Sequence, residues 1–229
     1  MWQRGERLRP LYHLGEWDEL RREADAIGRW EERYGGGQLG VLAHIHLTQV
    51  LVHRSAVPDA AAKVEALLPK ARESGDPQVL VPGLTCAALV AATLGDDAQA
   101  LKCVTELEEL TRGSPTWRDY CLVWPARIAI AAGERELVRA FLDDREYDAA
   151  WNVCARLTAH AMLAEDAGQS DEAARLYRDA AERWDSYGSV VERGYALLGL
   201  GRCGDVKAQV EGQAIFAALG ASPVVAKAA

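Results

Sequence analysis

The chain has 229 residues, of which 49% are hydrophobic and 26% are charged, and its formal net charge at pH 7 is −8. This acidic balance argues against a nucleic-acid-binding protein, because phosphate contacts need a basic stripe. No apolar stretch reaches the roughly 18 residues that a membrane helix needs, and the first residues lack the apolar core of a signal peptide. The sequence therefore predicts a cytoplasmic protein with no membrane partner.

A short motif, a Gly followed by acidic residues, recurs between the end of one predicted helix and the start of the next. Its copies lie at Gly15, Gly95, Gly133 and Gly168, with a degraded copy at Gly204 and a copy lacking the Gly at Ser55. They are roughly 35 to 40 residues apart, which is typical of a helical solenoid. Gly suits the left-handed position after a helix, and the acidic residues complement the dipole of the next helix. We therefore expect an all-α, right-handed superhelix of about six helical hairpins, forming a single array over residues 1–229.

The predicted elements alternate between two kinds of helix. The first helices of the second to sixth hairpins are predicted at 39–52, 79–94, 120–132, 149–167 and 190–203. They are apolar on all sides, as helices packed on both flanks are, whereas the second helices are amphipathic. In the fifth hairpin, for example, Ala173, Tyr177 and Trp184 share one face. Pro125 is expected to kink or restart its helix, and residues 35–37 are expected to form a linker.

Residues that could carry chemistry are scattered. The cysteines are Cys86, Cys103, Cys121, Cys154 and Cys203, and the histidines are His13, His44, His46, His53 and His160. No Cys pair has metal-binding spacing, so free, buried thiols are predicted. No two histidines have the i, i+4 spacing usual for zinc ligands on one helix, and no nucleophile motif occurs. The sequence therefore predicts a protein that is not an enzyme and has no cofactor and no metal.

Residues 168–180, read Gly-Gln-Ser-Asp-Glu-Ala-Ala-Arg-Leu-Tyr-Arg-Asp-Ala, resemble the second half of a tetratricopeptide repeat. Ala173, Tyr177 and Ala180 occupy the small, aromatic and small positions of that family. The early units depart from the family, since they are nearer to roughly 40 than to roughly 34 residues long. Most of the first helices also lack the Trp and Gly of the family. The resemblance implies a tetratricopeptide-like solenoid.

A second resemblance rests on four other segments, residues 11–20, 71–80, 192–202 and 214–221. These look like the C-terminal helical-repeat region of large bacterial regulators. Such regulators join the repeats to an ATPase module and to either a class III nucleotide cyclase or a DNA-binding output domain. The chain itself carries no cyclase, ATPase or helix-turn-helix motif. The resemblance therefore implies a sensory or scaffolding piece of a larger regulator, or a stand-alone relative.

In a tetratricopeptide-like stack, the first helices line a concave groove. The residues predicted to face it are Arg9, Tyr12, Gln49, Thr85, Tyr120, Arg127, Thr158 and Glu165. Arg127 stands out because it lies on an apolar helix, and a buried Arg without a partner is costly. We interpret it either as an anchor for a carboxylate or acidic peptide, or as part of a salt bridge. In the second interpretation, its partner is Glu165 or Asp166.

The function predicted from this pattern is a non-catalytic scaffold for signalling, with a protein or peptide partner held in the groove. The alternative is a sensor, in which a small molecule or peptide shifts the superhelix and controls a partner output domain. An enclosed pocket near Tyr120 and Arg127 would favour the sensor. The last hairpin ends without a polar capping helix, which predicts exposed apolar surface and a possible homodimer through that hairpin. Trp117, Trp124 and Trp151 are expected either in the core or as peptide anchors at the inner surface.

Overall fold

A computed structural model describes residues 2–35, 38–142 and 149–224, which form thirteen helices and no strand. The helices are α1 (Trp2–Leu14), α2 (Trp17–Tyr34), α3 (Gln38–His53), α4 (Val57–Ser74), α5 (Pro77–Thr93), α6 (Asp97–Thr111), α7 (Pro115–Cys121), α8 (Val123–Ala131), α9 (Arg135–Phe141), α10 (Ala150–Asp166), α11 (Ser170–Tyr187), α12 (Val190–Arg202) and α13 (Val206–Ala218). The predicted all-α repeat of helical hairpins is thus confirmed.

Consecutive helices pack as six hairpins, and α7 and α8 together form the first helix of the fourth. The break between them falls at Leu122, so Pro125 lies in the first turn of α8. A proline is tolerated there because the first amides of a helix have no intrahelical acceptor. The predicted restart of the helix near Pro125 is therefore confirmed. The expected linker at 35–37 falls largely outside the described residues, since only Gly35 of the three is described.

Each hairpin turn contains one residue with a left-handed backbone. These residues are Gly15, Ser55, Gly95, Gly133, Gly168 and Gly204, with φ between +59° and +106°. Ser55 is the one non-glycine residue with positive φ in the described part of the chain. A Cβ atom in this conformation meets the following carbonyl oxygen, which costs an L-residue stability.

Ser55→Gly is therefore expected to stabilise the protein by about 0.5–1 kcal/mol. The gain is the relief of the left-handed strain, less the entropy of a more flexible unfolded chain. Thermal unfolding followed by circular dichroism should show a melting temperature about 1–4 °C higher. Ser55→Ala keeps the Cβ atom and should give no gain. An equal rise in both variants would contradict the explanation, because it would assign the effect to the lost hydroxyl.

The core is built from the apolar faces that the helical periodicity predicts. Ala173, Tyr177 and Trp184 of α11 are all buried. Tyr177 lies against Gly199 of α12, where an added Cβ atom would come within 2.5 Å of the Tyr177 ring. The small residue therefore lets two consecutive hairpins approach closely.

The array closes on itself. The first helices α1, α3, α5, α8 and α10 lie side by side in chain order, and α12 returns to contact α1. Leu8 and Tyr12 of α1 share one buried cluster with Tyr195 of α12 and Phe216 of α13. Beyond α13, the backbone N–H of Ser222 donates to the carbonyl oxygen of His53 at 2.8 Å. The first and last hairpins are thus packed together around a common axis.

This closure corrects the expectation that the last hairpin is uncapped. The apolar face formed by Val191, Tyr195, Leu198 and Phe216 is buried against the first hairpin. Exposed apolar side chains of α13 remain at Val206 and Val210. A homodimer through this hairpin stays a prediction, without the support of an uncovered end.

Candidate functional site

A pocket of about 610 Å³, partly open to solvent, lies between the first helices and the end of α11 at the axis of the closed array. It is lined by Gly5, Glu6, Arg9, Pro10, His13 and Leu14 of α1, Leu42 and His46 of α3, Gln78 of α5, Trp117 and Tyr120 of α7, and Tyr187 and Gly188 at the end of α11. The volume lies within the range of about 300–1,000 Å³ that is usual for sites of small organic ligands. Its walls combine aromatic rings with a few polar groups, as such sites do.

Arg9 is the positive charge of this pocket. Its guanidinium carbon lies 4.5 Å from the ring centroid of Tyr120 and 4.5 Å from that of Trp151. Both rings attract the cation, and the attraction is stronger where the charge is partly desolvated, as it is for this partly buried side chain. Among the described residues, Arg9 forms no ion pair and no side-chain hydrogen bond. The rings therefore hold the guanidinium in place without neutralising it.

Two histidines line the same pocket in the neutral form. Burial, with the Arg9 cation as a further cause, lowers the pKa of His13 to about 3 and that of His46 to about 4. Nδ1 of His13 lies 3.0 Å from the Ser189 hydroxyl. Nδ1 of His46 lies 3.3 Å from Oε1 of Gln49, and it is the donor because an amide oxygen only accepts. At neutral pH these rings offer hydrogen bonds and no charge.

A small cavity of about 40 Å³ adjoins the pocket. The two share Arg9, His13, His46 and Tyr120, and the small cavity is also lined by Tyr12, Ile45, Gln49, Pro82, Thr85, Cys121, Val123, Trp124, Trp151 and Glu192. The Tyr12 side chain is only 2% exposed, and its hydroxyl has no hydrogen-bond partner among the described residues. A buried hydroxyl left without a hydrogen bond costs about 1–3 kcal/mol. A ligand group that accepts a hydrogen bond from this hydroxyl would therefore be favoured here.

The structure brings together five of the eight predicted groove residues. Arg9, Tyr12, Gln49, Thr85 and Tyr120 all line the small cavity, and Arg9 and Tyr120 also line the larger pocket. They meet because α1, α3, α5 and α7 present the same face to the axis of the array.

Thr158 and Glu165 lie elsewhere. The Thr158 hydroxyl is buried, donates to the carbonyl oxygen of Cys154 at 2.8 Å and accepts from the Trp184 indole at 2.9 Å. Glu165 accepts a hydrogen bond from the Tyr177 hydroxyl at 2.6 Å and pairs with Arg202 at 2.5 Å. Thr158 therefore links the two helices of the fifth hairpin, and Glu165 also links α10 to α12 of the sixth.

Arg127 is buried in an intramolecular salt bridge, as the second interpretation predicts, but the predicted partners Glu165 and Asp166 are wrong. Its guanidinium forms two hydrogen bonds with Glu192 of α12, one of them from Nη1 to Oε1 at 3.3 Å. It also lies 3.9 Å from the ring centroid of Tyr195 and 4.7 Å from that of Trp124. The prediction failed because α12 folds back across the axis, which brings together two residues that are 65 positions apart.

Several pocket residues were not identified from the sequence, although a signal for some of them was present. Glu6 and His13 lie one turn before and one turn after Arg9 on α1, and His46 lies one turn before Gln49 on α3. Residues three or four positions apart share a helix face, so each predicted residue implied its neighbours. Tyr187 carried no such signal, because it reaches the pocket from the end of a second helix.

The cysteines are free thiols, as predicted, and all but the partly buried Cys203 are buried. In the described part of the chain, no group of three or more His, Cys, Asp or Glu residues could hold a metal ion. None of the described helices combines the length and the apolar character needed to cross a membrane.

No protein-family model matches this chain, and no curated protein or solved structure matches it. The resemblance to the repeat region of bacterial regulators stays a prediction. The chain is an all-α helical repeat whose ends pack together beside a pocket, and the Arg9 of this pocket has no ion-pair partner among the described residues.

Proposed function

We propose that this chain is a non-catalytic ligand-binding module, and that its ligand is a small organic molecule bound in the axial pocket. The observation that carries the proposal is the pocket itself, about 610 Å³ in volume and walled by Tyr120. It adjoins the cavity lined by Glu192, the partner of Arg127. The pocket lies at Tyr120 and is partly open to solvent, and it supports a sensor over a peptide scaffold because its walls surround a small molecule on several sides.

The origin of the pocket walls supports a sensing role. Arg9, His13 and Leu14 come from the first hairpin, whereas Tyr187 and Gly188 come from the fifth. A ligand that contacts both sets would bind the closed array better than an array whose ends have separated. It would shift the population toward the closed form by its difference in affinity for the two forms. In a regulator, this shift would be passed to an output domain or partner.

The peptide scaffold remains a prediction with less support. Tyr12, Thr85, Arg127 and Thr158, all predicted to face a groove, have buried side chains. A peptide lying along the array would therefore find four of the eight predicted contacts inaccessible. A short peptide terminus is compatible with the pocket volume and belongs to the same proposal.

Thermal unfolding in the presence of a library of small aromatic and aliphatic compounds tests the proposal. A compound present at about 100 times its dissociation constant should stabilise the protein by about 2.7 kcal/mol. Gln78→Trp places a large ring on the pocket wall and should abolish this response. Glu73→Trp is the matched control, because Glu73 is an exposed residue that does not line the pocket. The proposal would be contradicted if no compound shifted the wild-type protein, or if Gln78→Trp responded equally.

A further inference from the structure

We propose that the ligand of the axial pocket is a carboxylic acid with an apolar body, and that Arg9 and Tyr12 bind its carboxylate. This inference rests on the proposed function and specifies the chemical class of its ligand. It is carried by two groups at the junction of the two cavities, a guanidinium and a buried hydroxyl that have no ion-pair or hydrogen-bond partner in the described part of the chain. The apolar body would occupy the larger pocket.

The guanidinium of Arg9 is oriented for an anion. Its contacts with Tyr120 and Trp151 are made through the ring faces, at 4.5 Å from each centroid. A guanidinium that stacks on aromatic rings keeps the N–H groups at its edge available, and their fork matches the two oxygens of a carboxylate. No described residue takes up these donors. Holding the side chain in advance also reduces the entropy lost when a ligand binds.

Tyr12 offers a second donor from inside the small cavity. The ring of Tyr12 stacks on that of Trp17, with the two centroids 6.0 Å apart. The Trp17 indole N–H also donates to the backbone carbonyl oxygen of Tyr12 at 2.9 Å. These two contacts hold Tyr12 in place. Burial, and next the negative charge of Glu192, raise the pKa of the Tyr12 hydroxyl well above 10. The hydroxyl therefore keeps its proton at neutral pH and favours a group that only accepts, as an ionised carboxylate does.

The surrounding charges favour one negative charge at this place. Glu192 lines the small cavity, but Arg127 neutralises it through two hydrogen bonds. Glu6 lines the larger pocket as an exposed residue, where water screens its charge. The neutral imidazoles of His13 and His46 add no charge. Arg9 is thus the charged group that a ligand would meet at the junction.

The volumes of the two cavities indicate where the carboxylate and the apolar body of the ligand would lie. The cavity of about 40 Å³ has room for a small polar group, since about 10–15 Å³ of such space holds one water molecule. A carboxylate brings one negative charge here, whereas the dianion of a phosphate ester would bring a second charge close to Glu192. Beyond the junction, Leu14, Leu42, Trp117 and Tyr187 supply apolar surface for an aromatic or aliphatic body.

Isothermal titration calorimetry with matched acids and amides tests the inference on the full chain. The probes are indole-3-acetate and octanoate, with indole-3-acetamide and octanamide as neutral counterparts of the same shape, and phenyl phosphate as the phosphate arm. The wild-type protein should bind each acid at least about tenfold more tightly than its amide, because hydrogen bonds to an ionised group are stronger than those to a neutral one. Phenyl phosphate should bind more weakly than either acid.

Three variants assign this preference to residues. Arg9→Met should remove the preference for the acid while leaving amide binding within about threefold, which also shows that the pocket remains folded. Tyr12→Phe should weaken acid binding about threefold to tenfold without lowering the melting temperature of the free protein, because the hydroxyl it removes is unpaired. Arg7→Met is the matched control, since Arg7 lies on the same helix but pairs with Glu19 and Glu23 outside the pocket.

The outcomes distinguish this inference from the proposed function. Equal binding of acids and amides, or tighter binding of phenyl phosphate, would overturn the carboxylate assignment while leaving a ligand-binding pocket. An acid preference that persisted in Arg9→Met, or was lost equally in Arg7→Met, would overturn the role of Arg9. Unchanged acid binding in Tyr12→Phe would show that its hydroxyl does not contact the carboxylate. If neither the probes nor the wider library bound at all, the proposed function itself would fail.

Discussion

Arg127→Met is expected to lower the free energy of unfolding by about 3–5 kcal/mol, because it leaves the carboxylate of Glu192 buried without a counter-charge. The side chains of Arg127 and Glu192 are 5% and 2% exposed, so water cannot replace the lost partner. The loss is large compared with the total stability of an ordinary domain, which is about 5–15 kcal/mol. The pair also links α8 to α12, so the variant should loosen the contact that closes the array.

Urea unfolding of single and double variants measures this effect. Arg127→Met/Glu192→Met removes both charges and should recover most of the loss, because a buried ion pair can often be replaced by apolar residues at little cost. Arg175→Met provides the control, since its ion pair with Glu172 is exposed and should contribute nothing measurable. A double variant no more stable than the single one would show that packing, and not the unpaired charge, causes the loss.

Acidification from pH 7 to pH 5 is expected to destabilise the protein by about 2 kcal/mol for each of His46 and His53. Burial lowers the pKa of each from 6.5 to about 4 in the folded protein. Below pH 6.5 these histidines are protonated in the unfolded chain but remain neutral in the folded protein. The unfolded state therefore binds more protons, and the free energy of unfolding falls as the pH decreases. The fall should continue to about pH 4 and level off below it, with no contribution from these groups above about pH 7.

His53 shows why the charged form is disfavoured. Its Nδ1 donates to the carbonyl oxygen of Gln49 at 2.8 Å, which leaves Nε2 to accept from the Tyr195 hydroxyl at 3.1 Å. Protonation would remove that acceptor and place a second positive charge near Arg127. The same Tyr195 hydroxyl accepts from the backbone N–H of Val224 at 2.9 Å, so the whole network would be disturbed.

The experiment is urea unfolding at pH 7, 6 and 5, a range chosen because the carboxylates remain largely ionised there. His53→Gln should reduce the pH dependence by about a third, whatever its effect on stability at pH 7, because burial keeps His13 and His46 neutral in the same way. His160→Gln is the control, because His160 is exposed and its pKa is lowered less by burial. A stability that is constant or that rises toward pH 5 would contradict the prediction.

The candidate site could be predicted only in part. Arg9, Tyr12, Gln49, Thr85 and Tyr120 were identified from their positions on the first helices, counted back from each hairpin turn. Thr158 met the same criterion, but its hydroxyl forms hydrogen bonds with a carbonyl oxygen of its own helix and with the Trp184 indole. A polar residue on an apolar helix indicates an unusual environment, and the pattern alone does not distinguish a ligand from a neighbouring side chain.

The sequence by itself determined the helices, their turns and the buried face of each second helix. These depend on interactions within a few residues, such as the left-handed glycine at Gly168 or the stripe containing Tyr177 and Trp184. Only the tertiary structure decided that the array closes, that Arg127 meets Glu192, and that a pocket remains between the first and fifth hairpins. Closure depends on small rotations between hairpins that accumulate along the chain. No local pattern encodes their sum, so the partners across the axis appear only when the whole chain is folded.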